Sequence, residues 1–123
     1  MANIEMKEID GYPDYFIDTD GNVFTTKRNN KNQNPNGELR KLKLSLKKTG
    51  YKYANIYWGK TRKERSSLRV HRIVYETFVG CISEGYVVDH INGDKGDNRL
   101  ENLRLLTPAQ NLKMAKLNKN KVY

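Results

Sequence analysis

The segment Val88-Asp89-His90-Ile91-Asn92-Gly93-Asp94, with Asn111 further along the chain, supplies the residue types of a one-metal hydrolytic site. An Asp carboxylate and an Asn carbonyl are hard oxygen ligands suited to Mg²⁺, which keeps several waters and shares the rest of its shell with substrate phosphate. Such an ion stabilises charge that develops on a phosphate and its leaving oxygen. A histidine is largely neutral near physiological pH, so His90 is suited to take a proton from the attacking water. Base and metal ligand would be neighbours in sequence, and the chemistry they suggest is the cutting of a nucleic-acid backbone.

These residues need elements to hold them. Val87-Val88 is a short apolar run that ends at Asp89 and His90, and Asn92-Gly93-Asp94 is a turn signal, so the acid and base fall at a strand end. Asn98-Arg99-Leu100-Glu101 has the form of a capping box, which predicts a brief helical turn capped by Asn98. Residues 103–106 read as a returning strand. Thr107-Pro108-Ala109-Gln110 gives an N-cap, a proline at the first helical position and Gln three residues after the cap, so a helix begins there with Asn111 in its first turn. The order strand, loop, strand, helix predicts that Asp89, His90 and Asn111 surround one small polar site. Upstream, Val70-His71-Arg72-Ile73-Val74-Tyr75-Glu76-Thr77-Phe78-Val79 has apolar residues at helical spacing and predicts a helix packed on the core. His71 within it is expected to be structural or to contact a phosphate, with no catalytic role.

Charge is distributed to match. The 123 residues carry 23 Lys or Arg against 14 Asp or Glu, a net +9. Residues 21–72 hold 15 basic and two acidic side chains, whereas residues 73–111, around the proposed site, hold three basic and six acidic. One surface would neutralise a phosphate backbone while the other concentrates a cation. Leu42, Leu44 and Leu46 alternate with Lys41, Lys43, Ser45 and Lys47, which predicts one half-buried strand with a polar face. The expected DNA-contacting set is Lys41, Lys43, Lys47, Lys48, Lys52, Lys60, Arg62, Lys63, Arg65, Arg69 and Arg72. Residues 29–37 are polar and turn-rich and are predicted to be a mobile connecting loop, and residues 118–123 a frayed basic tail. Cys81 is the single cysteine; it excludes an internal disulfide or a four-Cys zinc site, and it is expected to be a small buried residue. No apolar stretch reaches membrane-spanning length, the N-terminus has no hydrophobic secretory region, and no P-loop appears, so the expectation is a cytoplasmic protein without membrane association or nucleotide cofactor.

At Asp89-His90-Ile91-Asn92-Gly93, Asp97-Asn98-Arg99, Glu101-Asn102-Leu103, Thr107 and Asn111, preceded by His71-Arg72-Ile73-Val74, the chain resembles the HNH endonucleases with a ββα-metal core, especially the homing endonucleases of phages and mobile introns. The resemblance implies that His90 is the general base, that Asp89 and Asn111 hold the metal, and that Asn102 braces the motif by hydrogen bonding to its backbone. Asn111 stands where many relatives carry a final His, as in the homing branch. Residues 8–24 resemble the small module that often precedes this motif, and Gly50-Tyr51-Lys52-Tyr53-Ala54-Asn55-Ile56 is similar to the Gly-Tyr strand between the two. The expected fold class is therefore α+β, with an N-terminal β-rich DNA-contact region over residues 1–66, an HNH core over 67–117 and the tail over 118–123. The expected function is site-specific hydrolysis of double-stranded DNA with Mg²⁺, or Mn²⁺ in its place, in a bacterial or phage-infected cell. The resemblance implies 5′-phosphate and 3′-hydroxyl ends; one motif implies a monomer that nicks, with a dimer or two events needed for a double-strand break. The alternatives are a nonspecific or defence nuclease and a nuclease-derived DNA-binding regulator that does not cut.

Overall fold

The computed structural model of the chain describes residues 5–27, 37–59 and 63–118, with side chains as far as 115. The loop expected at residues 29–37, apart from Gly37, and the tail beyond 118 lie outside the described residues, as do Lys60 and Arg62. Short alternating runs pair with their sequence neighbours. Strands β1 (Met6–Glu8), β2 (Tyr15–Asp18), β3 (Val23–Thr25) and β4 (Arg40–Lys41) form one antiparallel sheet in that order. The β2–β3 turn is tied by the Asp18 carboxylate, which accepts the N–H groups of Asp20 and Asn22 at 3.0 and 2.8 Å and the Asn22 amide at 3.1 Å. Gly21 occupies the left-handed region at φ +86° within it, a conformation that costs glycine little.

A second sheet contains β5 (Ser45–Leu46), β6 (Lys52–Tyr57) and β7 (Arg65–Arg69). Strand period two divides β6 cleanly: Ala54 and Ile56 are fully buried, while Tyr53, Asn55 and Tyr57 stand on the other face opposite Arg69, Ser67 and Arg65. Helix α1 (Val70–Phe78) follows at once and buries Val70, Ile73 and Val74, the i, i+3, i+4 stripe expected of it. The third sheet is a hairpin of β8 (Val87–His90) and β9 (Leu103–Leu106), with a 3₁₀ turn at Leu100–Asn102 between them and α2 (Pro108–Asn118) after it. This is the predicted strand, loop, strand, helix order, and the α+β class holds. Ile17 and Val23 of the first sheet, Ile56 of the second, Val70 and Val74 of α1, and Val88 and Leu103 of the hairpin belong to one apolar cluster. No helix among the described residues is long and apolar enough to cross a membrane.

Three local expectations fail. The Leu42, Leu44, Leu46 run is not one strand: Arg40–Lys41 pairs with β3 and Ser45–Leu46 with β6, so the segment crosses between sheets. Leu42 and Leu44 pack on the core at the crossing, but Leu46 is 69% exposed, because alternation fixes a face only while one pairing partner persists. Cys81 is exposed rather than buried, since it lies just beyond Gly80 where the chain leaves α1. Asn98 does not cap the short turn: Arg99 is the N-cap residue and makes no side-chain cap bond.

Candidate active site

Asp89 and His90 occupy adjacent positions at the end of β8, where burial alternates along the strand and both residues border the same cleft. His90 shares the inner side with Val88 and is 6% exposed. Asp89 is partly open, with 33% of its side chain exposed, and lies across the ladder from Arg104, whose Nε donates to Oδ2 at 2.9 Å. The chain then reverses: Gly93 N–H bonds back to the His90 carbonyl at 2.9 Å and Ile91 N–H to the Asn102 carbonyl at 2.8 Å. Buried Asn102 fixes this turn through its side chain. Its Oδ1 accepts Asn92 N–H at 3.1 Å, and its Nδ2 donates to Asn92 Oδ1 at 3.0 Å and the Asp97 carbonyl at 2.9 Å. Beyond it, Arg99 grips Asp97 through Nε and Nη2, both at 2.8 Å, and reaches Glu101 through Nη1 at 2.8 Å. The Arg99 hydrogen bonds hold the Asp97 carboxyl well below the usual carboxylate range, and Asp97 in turn pushes the Arg99 guanidinium above its ordinary value.

His90 has a defined ring environment. Its Nε2 lies 2.8 Å from Oδ1 of buried Asn98. An amide oxygen offers only lone pairs, so in this orientation Nε2 carries the ring proton and Nδ1 keeps its lone pair. His71 packs beside it with ring centroids 4.9 Å apart and planes tilted by 47°, and Tyr51 completes a three-ring cluster, stacked 5.1 Å from His71 and tilted 6.1 Å from His90. His71 is buried, and its Nδ1 has no hydrogen-bond partner among the described residues. Burial above all, then the positive charges of His90, Arg69 and Arg72, lower its pKa to about 4. It is therefore a neutral ring at pH 7.

A cleft of about 760 Å³ opens over this hairpin, bounded by Tyr51, Asp89, His90, Asn92, Lys95, Arg104 and Met114. Helix α2 begins as the sequence predicts. Thr107 Oγ1 accepts Gln110 N–H at 3.1 Å while Gln110 Oε1 accepts Thr107 N–H at 2.9 Å, with Pro108 first in the helix. Asn111 is exposed in that first turn and is not part of the cleft lining; Met114, three residues on and so on the same side of α2, is. The structure thus joins Asp89 and His90 in one cleft and sets Asn111 one helical turn from its wall.

Of the expected DNA-contacting residues, Lys41, Lys43, Lys47, Lys48, Lys63, Arg65, Arg69 and Arg72 are exposed and Lys52 is half-buried. Some of these cations are ordered by aromatic rings. Lys47 Nζ lies 5.2 Å from the Tyr53 centroid, and Arg69 lies 6.0 Å from Tyr53 and 5.3 Å from Tyr51, donating Nε to Tyr53 Oη at 3.1 Å. Lys95 Nζ lies 5.0 Å from Tyr51. Lys47, Tyr53, Arg69 and Tyr51 therefore form a track across the second sheet that ends at the His71 and His90 rings. Sequence reasoning did not assign Asn98, Tyr51, Lys95 or Arg104 to the site. Asn98 satisfied a capping pattern, and Arg104 is visible only once the β8–β9 register puts it opposite Asp89.

A family model for HNH endonucleases matches residues 68–113. DNA endonuclease I-HmuI of Bacillus phage SP01 is 31% identical over 110 residues, which is 89% of this chain and 56% of that protein. An uncharacterized HNH endonuclease of Acanthamoeba polyphaga mimivirus is 33% identical over 109 residues, 87% of this chain and 24% of its own length. A solved structure of DNA binding and cleavage by the HNH homing endonuclease I-HmuI superposes with a TM-score of 0.73 at 29% identity, covering 94% of this chain and 61% of that one. The chain thus spans little more than half of the first of these relatives and about a quarter of the second.

Proposed function

Since the chain belongs to the HNH endonuclease family, we propose that it is a homing-type endonuclease that hydrolyses phosphodiester bonds of double-stranded DNA, with His90 as general base and Asp89 and Asn111 as ligands of a divalent ion. The observation that carries this is the placement of Asp89 and His90 side by side in the wall of one cleft, with the His90 ring proton committed to Asn98. Nδ1 of His90 is then the nitrogen left to take a proton from water. The cleft also holds Arg104 and Lys95, which suit a bound phosphate.

The donor chemistry fits a hard cation, either Mg²⁺ or Mn²⁺. Asp89 offers a carboxylate at the cleft and Asn111 an amide oxygen one turn from Met114, while among the described residues no three His, Cys, Asp or Glu side chains gather into a metal-binding group. So lean a protein ligand set leaves room for water and phosphate oxygens. An ion held by Asp89 and Asn111 would supply positive charge beside the scissile phosphate and its leaving oxygen. Asn102 keeps the turn after His90 closed, and Arg104 holds Asp89 in register with the cleft. In this reading residues 1–66 chiefly contact DNA and residues 67–117 cut it, the track from Lys47 through Arg69 leading the backbone toward His90. A single such cleft serves one strand, so the product of a monomer is a nick with 5′-phosphate and 3′-hydroxyl ends.

Supercoiled plasmid bearing the DNA that flanks the gene tests this, incubated with Mg²⁺, Mn²⁺ or EDTA beside an unrelated plasmid. Relaxed circles from the cognate plasmid alone, lost with EDTA and in His90→Ala while that variant still binds DNA, are expected. Equal cutting of both plasmids would instead mark a nonspecific nuclease, and binding without cutting a regulator.

A further inference from the structure

The loop that carries Asn98 is supported from outside the β8–β9 hairpin. A Cβ placed on Gly21, in the β2–β3 turn of the first sheet, would stand 2.8 Å from Asn98 Cβ and 3.2 Å from the Asn98 carbonyl oxygen. Side chain and backbone are therefore in closest packing there, and only the missing Cβ lets the two segments meet. Two residues further on, Leu100 N–H donates to the Thr19 carbonyl of the same turn at 2.8 Å. The turn is itself stiff, since the buried Asp18 carboxylate accepts three N–H donors across it. On its other side Asn98 meets the His90 ring. Turn, Asn98 and His90 thus make a contiguous path from the N-terminal sheet to the catalytic cleft, and the N-cap of the 3₁₀ turn is Arg99, which leaves the buried Asn98 amide outside that role.

We propose that Asn98 is a positioning residue that fixes His90 as the Nε2-protonated tautomer with Nδ1 facing the chemistry, and that the Gly21 turn holds Asn98 in that role. The two neutral imidazole tautomers are close in free energy, and what the second nitrogen bonds to decides between them. A base presented as the other tautomer has its proton where its lone pair should be. The effect on cleavage rests on His90 being the general base; the tautomer does not.

The chain holds two histidines, so long-range ¹H–¹⁵N correlation spectra of the full, metal-free, ¹⁵N-histidine-labelled protein at pH 7.5 resolve His90, assigned with His71→Phe. The expected spectrum shows His90 protonated at Nε2. Asn98→Leu, close in volume but without an acceptor, and Gly21→Ala should each convert it to a mixture of tautomers. Nicking kcat should fall about 10- to 100-fold in both with KM for DNA unchanged, the scale seen when a supporting partner of a site residue is removed. A wild-type His90 protonated at Nδ1 overturns the proposal without recourse to any variant, so a variant that fails to fold does not shelter it. An unchanged tautomer in Asn98→Leu overturns it too, and one unchanged only in Gly21→Ala overturns the part assigned to the turn. The expected tautomers in a chain that cuts no DNA would leave this inference standing and remove the general-base reading instead.

Discussion

His71 is the residue whose protonation opposes folding. Its pKa is near 4 in the folded chain, set first by burial and then by the charges of His90, Arg69 and Arg72, against 6.5 when exposed. Above pH 6.5 both folded and unfolded chains hold it neutral, so it contributes no pH dependence there. As pH falls below 6.5 the unfolded chain takes up the proton first, and stability drops until the folded ring also protonates near pH 4. The full loss from this one group is about 3 kcal/mol. Urea unfolding at pH 7.5, 5.5 and 4.5 should show that decline in the wild type and a shallower one in His71→Phe, which keeps a ring against Tyr51. Parallel curves for the two would show that His71 is not the source. The Asp97–Arg99 pair acts in the same direction but lower: a carboxyl with a depressed pKa loses its contribution only as pH falls below the ordinary carboxylate value, so the two windows are separable. The sequence offered His71 as a structural residue or a phosphate contact on a helix; its burial and its contact with His90, which shape its titration, arise only when the tertiary fold brings these elements together.

Elements whose ends are marked by local chemistry were the legible ones. Thr107, Pro108 and Gln110 specify the start of α2 by bonds that span three residues, and the structure shows both of them. The α1 stripe and the β8–β9 hairpin were equally plain, since one buried face sets their periodicity. The crossing segment at Leu42 to Leu46 was not, because its apolar residues are shared between two sheets and the partner of each is distant in sequence. Asn98 failed for a related reason: the same residue types that cap a helix also serve a histidine ring, and only the fold chooses. At the helix start the two roles of neighbouring residues should separate. Thr107→Ala is expected to cost about 1 kcal/mol of stability by removing the cap. Exposed Asn111→Ala should change stability by less than about 0.5 kcal/mol while lowering metal-dependent nicking about 10- to 100-fold. Chemical denaturation beside plasmid nicking over a Mg²⁺ titration reads both, and an Asn111→Ala enzyme as active as wild type at limiting Mg²⁺ would remove Asn111 from the ligand set.

For the molecule as a whole, the charge asymmetry seen in composition becomes a geometric one. Cations of the second sheet lie along an aromatic track, while Asp94 and Asp97 lie in the β8–β9 loop, where Arg99 and Asn92 already engage Asp97. Binding to cognate DNA should therefore weaken steeply with salt, and Lys47→Ala and Arg69→Ala should each reduce the slope of log K against log salt by roughly 0.9 if each contacts one phosphate. Fluorescence anisotropy across a salt series measures this; a slope untouched by either substitution would move the interface off this sheet.

Arg69 differs from an ordinary surface arginine in one respect. With its guanidinium set against Tyr51 and Tyr53 and its Nε bonded to a phenol oxygen, most of its torsional freedom is already spent in the free protein. A phosphate or base edge arriving there meets a fork of donors fixed in direction, so docking forfeits little rotamer entropy and tolerates little misalignment. A lysine at the same place would keep the charge but lose the fixed direction of its donors.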